Sequence, residues 1–212
     1  MIKDLYKKYF VQNLANFITV LGLIGAIWLL VICISNPEQL WLILILTSGV
    51  GLTDFVDGLM ARYLKIESKF GSALDRLRDK VFICPLMIIL VWHYYESLKT
   101  LSIVVITLTI SLVSSLVLIE VLLFIAWLIG LIKKLDVSSN RYGRIKMFLE
   151  FLIVIFWLFS LTIKKYFGFH LFRFSIYLID LILFVAIYFA IRSLDEYYKR
   201  YSNKGIKNRT KK

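Results

Sequence analysis

The chain has 212 residues, 60% of them apolar, and a mean hydropathy of +0.80. Soluble domains hold about 45–50% apolar residues, so a soluble globular enzyme is excluded and a single all-α integral membrane domain is expected. The formal net charge of +12 suits anionic lipid headgroups; nucleic acid is set aside, because the charge flanks apolar runs and builds no basic soluble domain.

In chain order, residues 1–15 contain "IKDLYKKYFVQNLA", a mixed pattern that predicts an N-terminal interfacial amphipathic helix. No small-residue cleavage site follows the first apolar run, so no cleavable signal peptide is expected. Six transmembrane helices are then expected: Asn16–Ile34, Leu40 to about Arg62, about Ser72–Tyr94, Leu101–Ile132, Ile145–Ile163 and Phe172–Ile191. Each lies near or above the roughly 20 residues that cross a bilayer, and Leu101–Ile132 has length to spare for tilt or a bend. No strand-like alternation is long enough for a barrel. The six-helix domain covers residues 16–195, and residues 196–212 form a basic tail expected to be solvated and partly disordered. Cys33 and Cys84 lie in or beside apolar runs, where they serve as small apolar side chains and identify no redox compartment.

Lysine and arginine set the orientation. With six spans both termini share a side, and that side collects Lys7, Lys8, Arg62, Lys65, Lys69, Arg76, Arg78, Lys80, Lys133, Lys134, Arg141, Arg144, Lys146 and the basic tail. The opposite side carries only four basic residues, so the basic side is read as cytoplasmic. His93 and His170 fall on the far side and are read as interfacial; "YFGFHLFRFSIY" reads as an aromatic belt there.

Four aspartates sit at the cytoplasmic ends of the second and third spans, in "TDFVDGLMARYLKIESKFGSALDRLRDK". Asp54 and Asp57 are three apart and Asp75 and Asp79 four apart, so each pair shares a helix face. Gly58 and Arg62 continue the stripe that begins at Asp54. Four carboxylates in a partly dehydrated site repel strongly and stay ionised only if cations neutralise them. Hard divalent cations with oxygen ligands, Mg²⁺ or Mn²⁺, fit that donor set, and a pair of them can clamp a displacement at phosphorus. For any single aspartate, a solvated helix end or a pairing with Arg62, Arg76, Arg78 or Lys80 is the plainer reading; matched spacing across all four favours metal.

The residues Asp54, Asp57, Gly58, Ala61, Arg62, Gly71, Asp75 and Asp79 fit the pattern D-x2-D-G-x2-A-R-x8-G-x3-D-x3-D without mismatch. This resembles the signature of the CDP-alcohol phosphotransferase, or phosphatidyltransferase, family, whose six-helix plan it also resembles over most of the chain. The resemblance implies a homodimeric enzyme that binds a CDP-linked lipid such as CDP-diacylglycerol and transfers its phosphatidyl group to a hydroxyl acceptor, releasing CMP. It implies that Asp54, Asp57 and Asp75 bind metal, and that Asp79 helps hold a second ion and takes the acceptor's proton. It further implies that Gly58, with Ala61 and Gly71 in the same motif, admits the nucleotide, that Arg62 holds a phosphate oxygen, and that Ser68 touches the nucleotide. Upstream, "NFITVLG" resembles the family's N-x-x-T segment, which turns Asn16 and Thr19 toward the nucleotide; Asn16 as a simple helix cap is the plainer alternative.

The segment "NRYGRIKMFLEF" resembles the G-K-x-K-T-x-x-Q stretch of phosphatidylglycerophosphate synthases and the related cardiolipin synthases. It places Arg144 and Lys146 where those enzymes carry a basic pair, which implies a phosphorylated acceptor such as glycerol 3-phosphate. A positive-inside cluster is the plainer reading of the same two residues. Met147 and Glu150 replace the expected Thr and Gln, and Ile119 stands where an arginine usually precedes the glutamate at Glu120. Glu120 is a mid-membrane carboxylate that should face the bundle interior; binding a polar acceptor and pairing with a basic residue are both open to it. Phosphatidylglycerol, serine and inositol phosphate therefore remain alternative acceptors. Asp180 is either a buried partner or a lining residue. A cation transporter or a non-catalytic membrane scaffold are remote alternatives, since the acidic cluster lies at one interface and no inverted repeat is visible.

Overall fold

The computed structural model describes the backbone of residues 2–63, 82–93, 95–99, 101–133, 135, 137, 140–167 and 171–209. Side chains are described at 17, 20–52, 82–93, 95, 98–99, 101–133, 135, 137, 140–167 and 172–202. All regular structure among these residues is helical: α1 Ile2–Ser35, α2 Leu40–Tyr63, α3 Phe82–His93, α4 Tyr95–Leu98, α5 Ile103–Ile132, α6 Arg141–Phe167 and α7 Leu171–Arg209. The chain divides into two compact units, Met1–His93 and Tyr94–Lys212.

In the first unit α1 and α2 form an antiparallel hairpin. Pro37 disfavours helix at Asn36, and Ser35 Oγ turns back to donate to Val31 O at 2.8 Å. Gln39 N then donates to Asn36 O at 3.1 Å, closing a tight turn from which α2 starts. Ala26, Leu29 and Cys33 on α1, and Leu40, Ile43 and Thr47 on α2, are all buried; both sets follow the three-and-four spacing of one helix face. Gly25 faces α2 without being needed for the approach, since a Cβ there would make an ordinary 3.6 Å contact with Val50 Cγ2. Trp28, Val31, Ile34 and Ile45 point outward and are more than half exposed, as lipid-facing residues are. α1 runs unbroken from Ile2 to Ser35, so no helix break marks the expected boundary between an interfacial helix and the first span.

In the second unit α5, α6 and α7 form an up-down-up bundle. Three helical stretches among the described residues are long and apolar enough to cross a membrane: Ile103–Ile132, Arg141–Phe167 and Phe172–Ser202. Val20–Ser35, Leu40–Leu52 and Phe82–His93 are shorter apolar helical segments in the places of the first three expected spans. Lipid tails are as apolar as leucine, so close packing and interhelical polar bonds, rather than hydrophobic burial, must hold such a bundle together. Ala186 and Ala190 are both fully buried one turn apart on α7, which permits close backbone approach. On α6 a fully buried face of Ile153, Val154, Trp157 and Leu158 packs inward.

α7 continues as helix to Arg209, well past the expected end of the last span at Ile191. Two reasons are visible. Asp195–Lys199 and Glu196–Arg200 are ion pairs four residues apart, at 2.7 and 2.6 Å, with the acid N-terminal to the base. Tyr201 also anchors the extension by donating its hydroxyl to Ala126 O on α5 at 3.0 Å. It lies in a notch over Gly130, where a Cβ would run into the Tyr201 hydroxyl and come within 2.5 Å of Val137 Cγ1.

Candidate functional site

The acidic motif begins on α2. Asp54, Asp57, Gly58, Ala61 and Arg62 occupy its last three turns, so a regular helical backbone carries the register that the spacing predicts: Asp54, Gly58 and Arg62 fall on one stripe and Asp57 and Ala61 on the next. Ser68, Gly71, Asp75 and Asp79, like His170, lie outside the described residues. Asn16 and Thr19 sit three apart within α1, which places them on one face. Among the described residues no cluster of three metal-ligating side chains occurs; the side chains of the motif aspartates lie outside the described ones.

The acceptor candidates all lie in the second unit, Glu120 midway along α5 and Arg144 and Lys146 in the first two turns of α6. Lys146 on α6 forms an ion pair with Glu120 on α5. Its Nζ also lies 3.5 Å from Glu150 Oε1, one turn further along α6. All three residues are only 3% exposed. Glu120 thus takes the second role open to it, pairing with a base, and the pairing accounts for how a carboxylate survives in the middle of a bundle. Glu150 Oε1 is buried and makes no hydrogen bond. Arg144 is different: it sits exposed on the first turn of α6. Two residues along a helix is a turn of about 200°, so Arg144 and Lys146 leave α6 on different faces.

The start of α6 is fixed by a polar clasp. Asn140 is its N-cap, accepting from Gly143 N through Oδ1 at 2.6 Å. The same side chain donates from Nδ2 to Ser193 O on α7 at 3.0 Å, and Ser193 Oγ donates to Asn140 Oδ1 at 3.0 Å. Gly143 makes room, since a Cβ there would meet Asn140 Oδ1 at 3.0 Å and Ser193 Oγ at 3.2 Å. Arg192 lies 5.5 Å over the Tyr142 ring, a further tie between α6 and α7 beside Arg144. At the other end of the bundle, Thr109 Oγ1 and the Asp180 carboxylate lie 2.8 and 3.1 Å apart, both buried; Asp180 is a buried partner that joins α5 to α7. Lys164 over Phe172 at 4.6 Å and the exposed Tyr166, Phe167, Phe174 and Tyr177 form the aromatic end expected there.

Asn140 and Ser193 carry no part in the sequence reading, and Glu150 enters it only as a departure from an expected Gln. Glu150 was legible as the i+4 neighbour of Lys146, and Asn140 as a cap before a glycine. Ser193 had no signal, being an ordinary serine on a long helix.

Two comparisons with known proteins bear on this site. The chain matches the CDP-alcohol phosphatidyltransferase family over residues 12–192, which include every motif position and all three acceptor candidates. It is also 35% identical over 80 residues to the CDP-diacylglycerol–glycerol-3-phosphate 3-phosphatidyltransferase of Cereibacter sphaeroides, a match covering 37% of this chain and 36% of that protein. The chain belongs to the CDP-alcohol phosphatidyltransferase family.

Proposed function

We propose that this member of the CDP-alcohol phosphatidyltransferase family transfers a phosphatidyl group from CDP-diacylglycerol to a hydroxyl of glycerol 3-phosphate, as a multi-pass, homodimeric membrane enzyme whose site opens to the cytoplasm. The observation that carries the reading is the complete eight-position acidic motif inside the family match. The name of the Cereibacter sphaeroides relative and the basic residues Arg144 and Lys146 favour glycerol 3-phosphate. The engagement of Lys146 by two carboxylates favours a second reading, in which the acceptor bears no phosphate.

The donor set of the motif is all carboxylate oxygen, which fits Mg²⁺ or Mn²⁺ and not a soft metal. Two such ions held by Asp54, Asp57, Asp75 and Asp79 would neutralise the pyrophosphate and orient an in-line displacement. The chain's own groups do the rest. Arg62 offers a planar donor fork to a phosphate oxygen, and Gly58, Ala61 and Gly71 leave room for the nucleotide, which Ser68, Asn16 and Thr19 help hold. Asp79 takes the acceptor's hydroxyl proton as its oxygen bonds to the phosphorus distal to cytidine. The bond from that phosphorus to the bridging oxygen breaks, and CMP leaves with the electron pair. A carboxylate is a weak base, so holding acceptor and donor in line supplies much of the rate.

The test is CMP release by purified protein from CDP-diacylglycerol, with glycerol 3-phosphate, serine, inositol phosphate or phosphatidylglycerol as acceptor, with and without EDTA. Release that needs glycerol 3-phosphate, stops with EDTA and returns with Mg²⁺ or Mn²⁺ is the expected result. No release with any acceptor refutes the enzyme reading, and release only with serine or another alcohol moves the acceptor.

A further inference from the structure

We propose that Glu150 is a positioning residue that weakens the chain's hold on a phosphorylated acceptor by drawing on the charge of Lys146. The inference rests on the acceptor reading above and deepens it. Lys146 has one ammonium, and Glu120 already pairs with it from α5. Glu150 brings a second carboxylate to the same ammonium, 3.5 Å away and 3% exposed. Its Oε1 stands at ion-pair distance from Lys146 and makes no hydrogen bond. What it contributes is negative charge in a buried setting, where charges are screened far less than in water. An acceptor phosphate that approaches Lys146 meets a positive charge already over-matched by carboxylates. A neutral amide at residue 150 keeps the shape and removes the competing charge.

The experiment is a comparison of wild type with Glu150→Gln and Glu150→Asp, by CMP release under varied glycerol 3-phosphate at saturating CDP-diacylglycerol, and the converse. The Gln variant is expected to lower the KM for glycerol 3-phosphate by roughly three- to tenfold, the range for one buried like charge a few ångströms beyond contact. The KM for CDP-diacylglycerol should stay within twofold, and the Asp variant, which keeps the charge, should not gain. A residue that mattered only for folding would move both KM values together, or neither. Should Glu150→Gln fail to accumulate, Glu150→Leu removes the same charge and is read the same way. An unchanged acceptor KM in a charge-removing variant, with wild type active on glycerol 3-phosphate, overturns the inference alone. Wild type and variant both inactive on glycerol 3-phosphate overturns the acceptor reading and the inference with it.

Discussion

Replacing Lys146 by methionine takes the ammonium out from between Glu120 and Glu150 and leaves two carboxylates, each 3% exposed, without it. Methionine keeps an unbranched apolar stem of similar reach, so the cavity cost is small and the change is largely one of charge. Removing one partner of a buried ion pair costs about 3–5 kcal/mol. For a chain of this size roughly 2–4 °C of Tm accompanies each kcal/mol, so Lys146→Met should melt about 10 °C below wild type. The triple variant with Glu120→Gln and Glu150→Gln should recover most of that loss, because replacing a whole buried ionic cluster by neutral groups is often neutral or stabilising. The assay is thermal unfolding in detergent micelles, followed by intrinsic tryptophan fluorescence. A single variant as stable as wild type would show that the cluster is hydrated and weakly coupled. A triple variant no better than the single one would show that Lys146 matters for packing and not for charge. Either result refutes the electrostatic account.

Three further outcomes follow from other contacts. Asn140→Ala removes both the α6 cap and the clasp to Ser193, and should cost about 1–2 kcal/mol in the same melting assay; no change would mean that water replaces the cap. Gly130→Ala drives a methyl group into the Tyr201 hydroxyl and against Val137; it should destabilise by about 1–3 kcal/mol, with the loss relieved in a Gly130→Ala, Tyr201→Ala double variant. Asp79→Asn should abolish CMP release while CDP-lipid binding is partly retained, and normal turnover would remove Asp79 from the role of base.

Much of the chain's class was written locally. Apolar runs near bilayer length force helices, because lipid offers no partner to an open backbone. The aspartate spacing needs only a regular helix to hold its register, and α2 provides one through Tyr63. The family resemblance was carried by the same 26 residues, Asp54 to Asp79. The end of α1 was legible too, because Pro37 cannot lie inside a helix that continues. The helical tail was legible only in part: its i,i+4 ion pairs can be read along the chain, but the anchor of Tyr201 on Ala126, 75 residues away, cannot.

Tertiary structure decided which polar groups meet. Lys146 and Glu150 are neighbours by helix geometry alone, whereas Lys146 and Glu120 stand 26 residues apart, Asn140 and Ser193 53, and Thr109 and Asp180 71. Periodicity tells which residues of one helix share a face, but not the rotation or depth at which that face meets another. In a bundle without a hydrophobic drive between helices, those two variables are set by small residues such as Ala186, Ala190 and Gly143, and by the bonds themselves. The sequence therefore determined that a carboxylate at Glu120 must face inward, and only the packing of α5 and α6 on α7 determined that its partner is the lysine one would otherwise reserve for a substrate phosphate.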